Sequence, residues 1–136
     1  MNQIIEEITL NGQDYTLTIS YDHSHIKTAP ITIYLIQSST KSTSNYQNYI
    51  YVIQNSTTQL IGLENLEIKF FILKLSKKLE VPLYFGIVDD ESNVYNLFNG
   101  GSSFELFKTI IDLINDENSK LENLKNDGIV QKEIEI

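Results

Sequence analysis

The chain contains neither cysteine nor arginine, and these two absences exclude whole classes of chemistry. Without cysteine there is no disulfide scaffold, no thiolate zinc site, and no thiol nucleophile or redox couple. Without arginine there is no planar guanidinium to clamp a phosphate through two parallel hydrogen bonds. The ten basic residues are all lysine and face 18 acidic residues, which gives a formal net charge of −8. Because nucleic-acid binding needs positive charge that displaces counterions, this balance argues against a nucleic-acid partner.

Long apolar segments are missing as well. No stretch approaches the roughly 18 consecutive apolar residues of a membrane-spanning helix, and residues 1–7 lack the basic start and apolar run of a secretory signal. We therefore expect a protein of the cytoplasm or the nucleus that does not contact a membrane. The 136 residues, 41% hydrophobic and 21% charged, fit one globular domain over residues 1–136.

The N-terminal part of the chain predicts a β-hairpin. Residues 3–10 and 13–21 flank Asn11-Gly12, a pair favoured in two-residue type I′ turns because both positions tolerate a positive φ. The second strand carries apolar or aromatic side chains at every other position, namely Tyr15, Leu17, Ile19 and Tyr21. This period of two predicts a strand with one face toward a core.

Two further strands are predicted at residues 31–38 and 49–54, with a polar segment at residues 39–48 between them as a hairpin loop. Both strands carry apolar or aromatic side chains at successive positions rather than at alternate ones. An antiparallel sheet with one face in water alternates between apolar and polar side chains. These two strands are therefore predicted to be covered on both faces.

A helix with an unusually wide apolar arc is predicted at residues 64–79. Two neighbouring stripes make up the arc, the first from Ile68, Phe71, Ile72, Leu75 and Leu79, the second from Leu66, Phe70 and Leu73. The arc is wider than a single contact with a core requires. The excess apolar surface is typical of a subunit that packs against a partner chain.

The remainder of the chain predicts one strand and one helix. A short apolar strand at residues 82–88 is followed by an irregular segment at residues 89–101. A capping box, Ser-x-x-Glu, then opens a helix at residues 102–124. The tail at residues 126–136, which contains a turn at residues 127–128, is predicted to be a last strand or a frayed end. The order β-β-β-β-α-β-α predicts an α+β domain with a mostly antiparallel β-sheet and two α-helices.

Three short motifs have some features of ligand sites, but each lacks what the chemistry requires. His23-Ser24-His25 brings two imidazoles together without a third metal ligand at local spacing, so a polar loop explains it as well. Gly100-Gly101 precedes a helix without the lysine of a phosphate-binding loop. The acidic residues 89–91 lack the glycine at the sixth position of a calcium loop. We expect no metal, no cofactor and no catalytic residues, and hence a protein that is not an enzyme.

The segment at residues 93–98 is unusually apolar for a position between an acidic cluster and a pair of glycines. Its apolar members are Val94, Tyr95, Leu97 and Phe98. One interpretation is an additional strand beside residues 83–88. The other is an exposed tip that inserts into a partner, because aromatic side chains supply much of the binding energy of interfaces.

Acidic residues are concentrated toward the end of the sequence. Residues 1–88 contain six lysines and seven acidic residues, whereas residues 89–136 contain four lysines and eleven acidic residues. Such an acidic region either docks on a basic surface, which would speed association, or is an ordinary solvated helix face.

The order of elements and three local strings resemble the small eukaryotic proteasome assembly chaperones, the third and fourth members of that set. The strings are Gln-Leu-Ile-Gly at residues 59–62, Leu-Ser-Lys-Lys-Leu at residues 75–79, and Val-Pro-Leu-Tyr-Phe-Gly-Ile-Val at residues 81–88. In that family a leucine-glycine string precedes an amphipathic helix, and a hydrophobic strand and a C-terminal helix follow. The polar segment at residues 39–48 and the long segment at residues 89–101 depart from the compact pattern, which leaves open which of the two members is matched.

The resemblance implies a non-enzymatic function. Two related small subunits of such chaperones pair, and the dimer binds a 20S proteasome α subunit while the seven-membered α ring assembles. Whether the dimer partner is an identical or a related chain, and which α subunit is bound, stays open at the level of sequence. The apolar strands, the wide helix arc and the segment at residues 93–98 supply the candidate partner-binding residues, which are Tyr34, Tyr49, Tyr51, Phe70, Tyr95, Leu97 and Phe98.

Two other classes of protein compete with this interpretation. A longin- or roadblock-like adaptor of membrane traffic is also a small α+β domain that dimerises, but such folds usually place two or three strands before the first long helix, and four are predicted here. A small-molecule enzyme or ligand carrier would need a cluster of polar groups in a cavity, and the sequence offers none.

Overall fold

The computed structural model describes residues 2–38, 48–99 and 101–135. Its elements confirm the predicted α+β class, with one more strand and one more helix than the sequence predicted. In chain order they are β1 (Asn2–Leu10), β2 (Gln13–Tyr21), β3 (Ile31–Gln37), β4 (Asn48–Ile53), β5 (Ser56–Ile61), α1 (Leu66–Leu79), β6 (Leu83–Val88), α2 (Glu91–Asn99) and α3 (Ser102–Glu135). None of the helices in these described ranges is both long and apolar enough to span a bilayer.

The six strands form one sheet in the order β1-β2-β3-β6-β4-β5. Among the described strands, only β3 and β6 pair in parallel, and the chain between them contains β4, β5 and α1. The other pairings are antiparallel, as predicted. β6 lies in the interior of the sheet, which accounts for its continuous apolar run.

The predicted N-terminal hairpin is confirmed. Asn11 and Gly12 both have positive φ, at 50° and 76°, and the ladder continues on either side of them from the pair Leu10–Gln13. The hairpin places β1 at one edge of the sheet.

The core lies on one face of the sheet, where alternate strand residues pack against the helices. β3 buries Ile33 and Leu35, and α1 buries Ile68, Ile72 and Leu75 in the same cluster. The opposite face of β3 and β4 is only half-buried, and no described helix covers it. The prediction that both faces of these strands are covered is therefore wrong for the described residues. Their second face consists largely of tyrosine and isoleucine side chains that stay accessible.

The N-terminus of α1 is fixed by Asn65, whose side chain accepts hydrogen bonds from the backbone N–H groups of Glu67 and Ile68. This is N-cap chemistry, in which a side-chain oxygen satisfies donors that have no partner inside the helix. The helix ends where Glu80 adopts a left-handed conformation, with φ of 61°. Lys77 and Lys78 in the last turn oppose the negative end of the helix dipole.

The segment at residues 93–98 belongs to helix α2, so the predicted additional strand is wrong. Asp90 caps this helix by accepting a hydrogen bond of 2.8 Å from the backbone N–H of Asn93. Val94, Leu97 and Phe98 follow the i, i+3, i+4 spacing of one helix face and are buried. The alternative of an exposed tip is wrong for Leu97 and Phe98, since both side chains point into the core.

Two further boundaries differ from the prediction. β5 forms from a stretch that contains only serine, threonine and glutamine before its last two residues, and the sequence pattern there gave no strand. α3 continues to Glu135 instead of ending near residue 124, so the tail is neither a strand nor a separate element. Gly128 lies within this helix, but a single glycine costs a helix only about 1 kcal/mol, and no proline follows Gly128 to end the helix. The predicted loop at residues 39–48 lies outside the described residues except for Asn48.

Candidate partner-binding surfaces

Four tyrosines meet on the half-buried face of the sheet, and we call them the tyrosine face. Tyr34 comes from β3, Tyr49 and Tyr51 from β4, and Tyr84 from β6 between them. The ring centroids of Tyr51 and Tyr84 are 4.4 Å apart, and those of Tyr49 and Tyr84 are 6.1 Å apart in an edge-to-face arrangement. Both geometries are favourable for aromatic pairs.

A glycine in the central strand lets two of these rings approach each other. Gly86 of β6 pairs in register with Tyr34 on one side and with Tyr49 on the other. Because Gly86 has no side chain, the two tyrosine rings meet above it with centroids 6.2 Å apart. The aromatic surface is therefore continuous from β3 to β4.

The tyrosine face is also free of charge. The positions that share this face on the three adjacent strands are Thr32, Tyr34 and Ile36 on β3, Tyr84, Gly86 and Val88 on β6, and Tyr49, Tyr51 and Ile53 on β4. Charged side chains on this face begin at β2 and β1, where Asp14 accepts a hydrogen bond from Thr9 and Glu7 accepts one from Thr16. Enrichment in tyrosine with depletion of charge is the composition of an interface core rather than of a solvated surface.

A second apolar surface lies on the helical side of the molecule. A cleft of about 330 Å³ is lined by five of the six phenylalanines together with Glu67, Lys74 and Ser103, and we call it the phenylalanine cleft: Phe70, Phe71, Phe98, Phe104 and Phe107. Phe71 forms its floor and makes edge-to-face contacts with Phe98 and Phe107 at centroid distances of 5.2 and 6.0 Å. Phe70 and Phe104 form the rim and are 56% and 74% exposed.

The candidate residues named from sequence fall into three groups. Tyr34, Tyr49 and Tyr51 come together on the tyrosine face, as just described. Phe70 lies on the rim of the phenylalanine cleft, on the helical side of the sheet. Tyr95 is exposed on α2, whereas Leu97 is a core residue and Phe98 is buried apart from the small part that lines the phenylalanine cleft.

Sequence reasoning missed Tyr84 and Phe104, which complete the two surfaces. Tyr84 alternates with the buried Leu83 and Phe85, so the period of two along β6 marks it as pointing to the other face. Phe104 follows directly after the start of α3, in the capping box itself, and its exposure is decided by how α3 packs against α1. The orientation of Tyr84 could therefore be predicted from the sequence, whereas the exposure of Phe104 could not.

The buried carboxylate of Asp89 is held by hydrogen bonds from three donors. Tyr15 Oη donates to Asp89 Oδ2 at 2.5 Å, and Asp89 Oδ1 accepts from the backbone N–H of Asp90 and from Asn93 Nδ2. Burial, followed by the hydrogen bond to Asp89, raises the pKa of Tyr15. With these three donors, the carboxylate of Asp89 holds the start of the following helix in place.

The histidine motif lies on an exposed loop after β2. His25 Nδ1 is 3.1 Å from Asp22 Oδ2, and the backbone N–H of Ser24, followed by His25, lowers the pKa of Asp22. Within residues 2–38, 48–99 and 101–135, no group of three or more histidine and acidic side chains is placed to hold a metal ion. That the protein binds no metal stays a prediction.

No family model matches this sequence, and no curated protein matches it. Among solved structures, the chain is similar to one chain of the crystal structure of a novel chaperone complex for yeast 20S proteasome assembly. The two share 14% sequence identity with a TM-score of 0.52, over 86% of this chain and 98% of the other. The likeness confirms the fold that the sequence resemblance implied, namely that of a proteasome assembly chaperone. It does not distinguish between the members of that set.

Proposed function

We propose that this protein is a non-enzymatic assembly chaperone that pairs with another small chain of the same fold, and that the pair binds an α subunit of the 20S proteasome during assembly of the α ring. The observation that carries the proposal is the half-buried tyrosine face, which carries no charged residue on β3, β6 and β4, on a fold shared with a yeast proteasome assembly chaperone. The dimer partner is either an identical or a related chain. The protein acts in the cytoplasm or the nucleus and needs no cofactor.

Sheet-on-sheet packing is the dimer geometry that the tyrosine face favours. Two sheets stack about 10 Å apart with strand directions within about 30°, and side chains of the two inner faces interdigitate. Tyrosine supplies a large contact area at a small cost in side-chain entropy, and its hydroxyl group keeps a polar contact at the margin. If the partner is an identical chain, a two-fold axis would place each tyrosine face against its own copy.

The acidic α3 supports binding to a basic partner. Glu105, Asp112 and Asp116 are exposed on this helix, and most of the negative charge of the chain lies in the same part of the sequence. Opposite charge on a partner would increase the association rate through long-range attraction, with little effect on the contacts of the bound state. An α subunit with a basic surface is the partner that this argument favours.

Affinity purification from native lysate tests the proposal. The tagged protein should co-purify with one proteasome α subunit and with one small chain, both identified by mass spectrometry. Tyr51→Glu, which places a charge in the tyrosine face, should lose the small chain, whereas Tyr95→Glu on α2 serves as the matched control and should retain it. Recovery of vesicle-coat or motor proteins would instead favour the adaptor interpretation. That outcome would conflict with the structure in one respect, since five strands precede α1.

A further inference from the structure

The two edges of the sheet are built differently. Within the described residues, β1 and β5 are the edge strands. β1 carries Glu6 and Glu7, whereas β5, with the sequence Ser-Thr-Thr-Gln-Leu-Ile, carries neither a charged residue nor a proline. Edge strands of soluble proteins usually contain such residues because a row of unpaired N–H and C=O groups otherwise binds another strand. β5 lacks this protection.

The outer side of β5 carries a short, regular row of backbone N–H and C=O groups that point away from β4. From Ser56 to Gln59 the strand pairs with β4 without interruption, so alternate residues direct their N–H and C=O groups away from β4. The register shifts at the next residue, and Leu60 becomes an extra residue in the strand. The carbonyl of Ile61 accepts a hydrogen bond of 2.7 Å from Gln59 Nε2, which closes the ladder at that end.

Exposed apolar side chains continue from the end of this ladder. Leu60 and Ile61 are followed by Leu63 and Leu66, and all four side chains are exposed. A chain segment paired with β5 would cover Leu60 and Ile61 with its own side chains. Backbone groups would then supply affinity and the apolar side chains would supply selectivity, as in other cases of strand addition.

We propose that β5 receives an extended segment of the proteasome α subunit as a seventh strand of the sheet. This inference rests on the proposed function for the identity of the partner. Among macromolecular partners, an extended protein backbone matches a row of alternating donors and acceptors, so the occupant is a protein strand. A dimer formed face to face through the tyrosine face leaves both sheet edges open, so β5 stays available to a third chain.

Hydrogen exchange of the full-length protein tests the inference directly. In the free protein, the outward N–H groups of β5 should exchange rapidly. On addition of recombinant α subunits of the 20S proteasome from the same source, each tested singly, the subunit that binds should slow exchange at these N–H groups. N–H groups on the outer side of β1 should exchange at an unchanged rate.

Two lysine variants supply a matched pair. Leu60→Lys places a charge at the open edge, and Asn96→Lys places the same charge on α2, where the native side chain is also exposed. Leu60→Lys should weaken binding of the α subunit by about tenfold or more. Asn96→Lys should leave the affinity unchanged. An equal loss in both variants would overturn the inference, because it would show a general effect of charge.

A second pair addresses the backbone itself. Thr57 and Thr58 are neighbours in the regular ladder, so one N–H group points toward β4 and the other away from it. Ile53 and Ser56 flank a two-residue turn and form a hydrogen-bonded pair, so the N–H group of the next residue, Thr57, points outward. Thr57→Pro should preserve folding, since edge strands tolerate proline there, and should abolish strand addition. Retained affinity in that variant would contradict the inference.

The remaining outcomes distinguish a failure of this inference from a failure of the proposed function. An α subunit that binds without slowing exchange at β5 overturns this inference and leaves the proposed function intact. Binding of no α subunit overturns both. Slow exchange at the outer side of β5 in the free protein also overturns it, because a second copy or another part of the chain then already occupies the edge.

Discussion

Tyr15 Oη donates a hydrogen bond of 2.5 Å to Asp89 Oδ2, and this contact joins the second strand of the sheet to the junction between β6 and α2, 74 residues later. Asp89 is only 4% exposed and also binds the first turn of α2 through Asn93. The bond therefore fixes where α2 begins. Since α2 contributes Phe98 to the floor of the phenylalanine cleft, one contact between the sheet and a carboxylate shapes a surface on the opposite side of the core.

Tyr15→Phe should destabilise the protein by about 1.5–3 kcal/mol, because the buried carboxylate of Asp89 loses a charge-assisted hydrogen bond while its other oxygen contacts remain. Chemical denaturation followed by circular dichroism measures the change. Tyr95→Phe removes a hydroxyl group from an exposed side chain and is the control. Equal stability of the two variants would show that the Tyr15–Asp89 bond contributes nothing net to the fold.

The raised pKa of Tyr21 predicts that the protein loses stability in alkaline solution. Its hydroxyl group donates to Glu117 Oε2 at 2.8 Å, and burial, followed by this hydrogen bond, raises the pKa of Tyr21 to about 12. Above the ordinary tyrosine pKa of about 10, the unfolded chain releases a proton that the folded chain still holds, so the free energy of unfolding falls as the pH rises. The contribution of Tyr21 is complete below pH 10 and decreases between pH 10 and 12. The difference in unfolding free energy between wild type and Tyr21→Phe should shrink over that interval, and a difference independent of pH would contradict the assignment.

Phe98→Ala and Tyr95→Ala should behave differently although both residues belong to α2. Phe98 is 5% exposed and packs edge-to-face on Phe71, so its truncation should cost about 3–5 kcal/mol. Tyr95 is 62% exposed, and its truncation should change stability by less than about 0.5 kcal/mol. Thermal unfolding of the two single variants checks this. Similar melting temperatures would mean that α2 does not pack as described.

The isolated protein should not behave as a stable monomer at micromolar concentration. The tyrosine face is an uncharged aromatic surface on three adjacent strands, and exposure of such a surface to water is unfavourable. Light scattering coupled to size exclusion should report a dimer or a larger species for the wild type and a shift toward monomer for Tyr51→Glu. A monodisperse monomer with sharp thermal unfolding would count against the tyrosine face as an interface.

Zinc, calcium and ATP should leave the melting temperature unchanged. The expectation follows from the lack of cysteine and arginine, and from the finding that no group of three or more histidine and acidic side chains among the described residues is placed to hold a metal ion. A ligand that binds only the folded state must stabilise it by mass action. A rise of several degrees with any of the three would therefore identify a site that neither the sequence nor the described residues indicate.

Some elements were predictable because their signals are local. Asn11-Gly12 forms the turn of the first hairpin since both residues tolerate a positive φ, and the apolar run of β6 marks it as a buried strand. The helical spacing within α1 also predicted its buried side chains. Each of these signals lies within a window of about ten residues and needs no knowledge of the rest of the chain.

The segments whose structure was predicted wrongly have weak or contradictory local sequence signals. β5 has a polar sequence and is a strand because β4 lies beside it and pairs with it. Residues 93–98 contain β-branched and aromatic side chains, yet they form α2 because Asp89 and Asp90 hold its first turn and the core accepts Val94, Leu97 and Phe98 on one face. Long-range packing overrode a weak propensity in both cases.

The sequence by itself determined the α+β class, the hairpin, the candidate tyrosines of β3 and β4, and the lack of residues for thiol or guanidinium chemistry. Only the tertiary structure decided that these tyrosines form one continuous surface. That outcome depends on the register between β3, β6 and β4, in which Gly86 lies between Tyr34 and Tyr49 and Tyr84 pairs with Tyr51. Because side chains alternate between faces with a period of two, a shift of one residue in any of these pairings would have sent its tyrosines to the core side. Registers between strands distant in sequence are set by the packing of the whole sheet against the helices, which no local pattern contains.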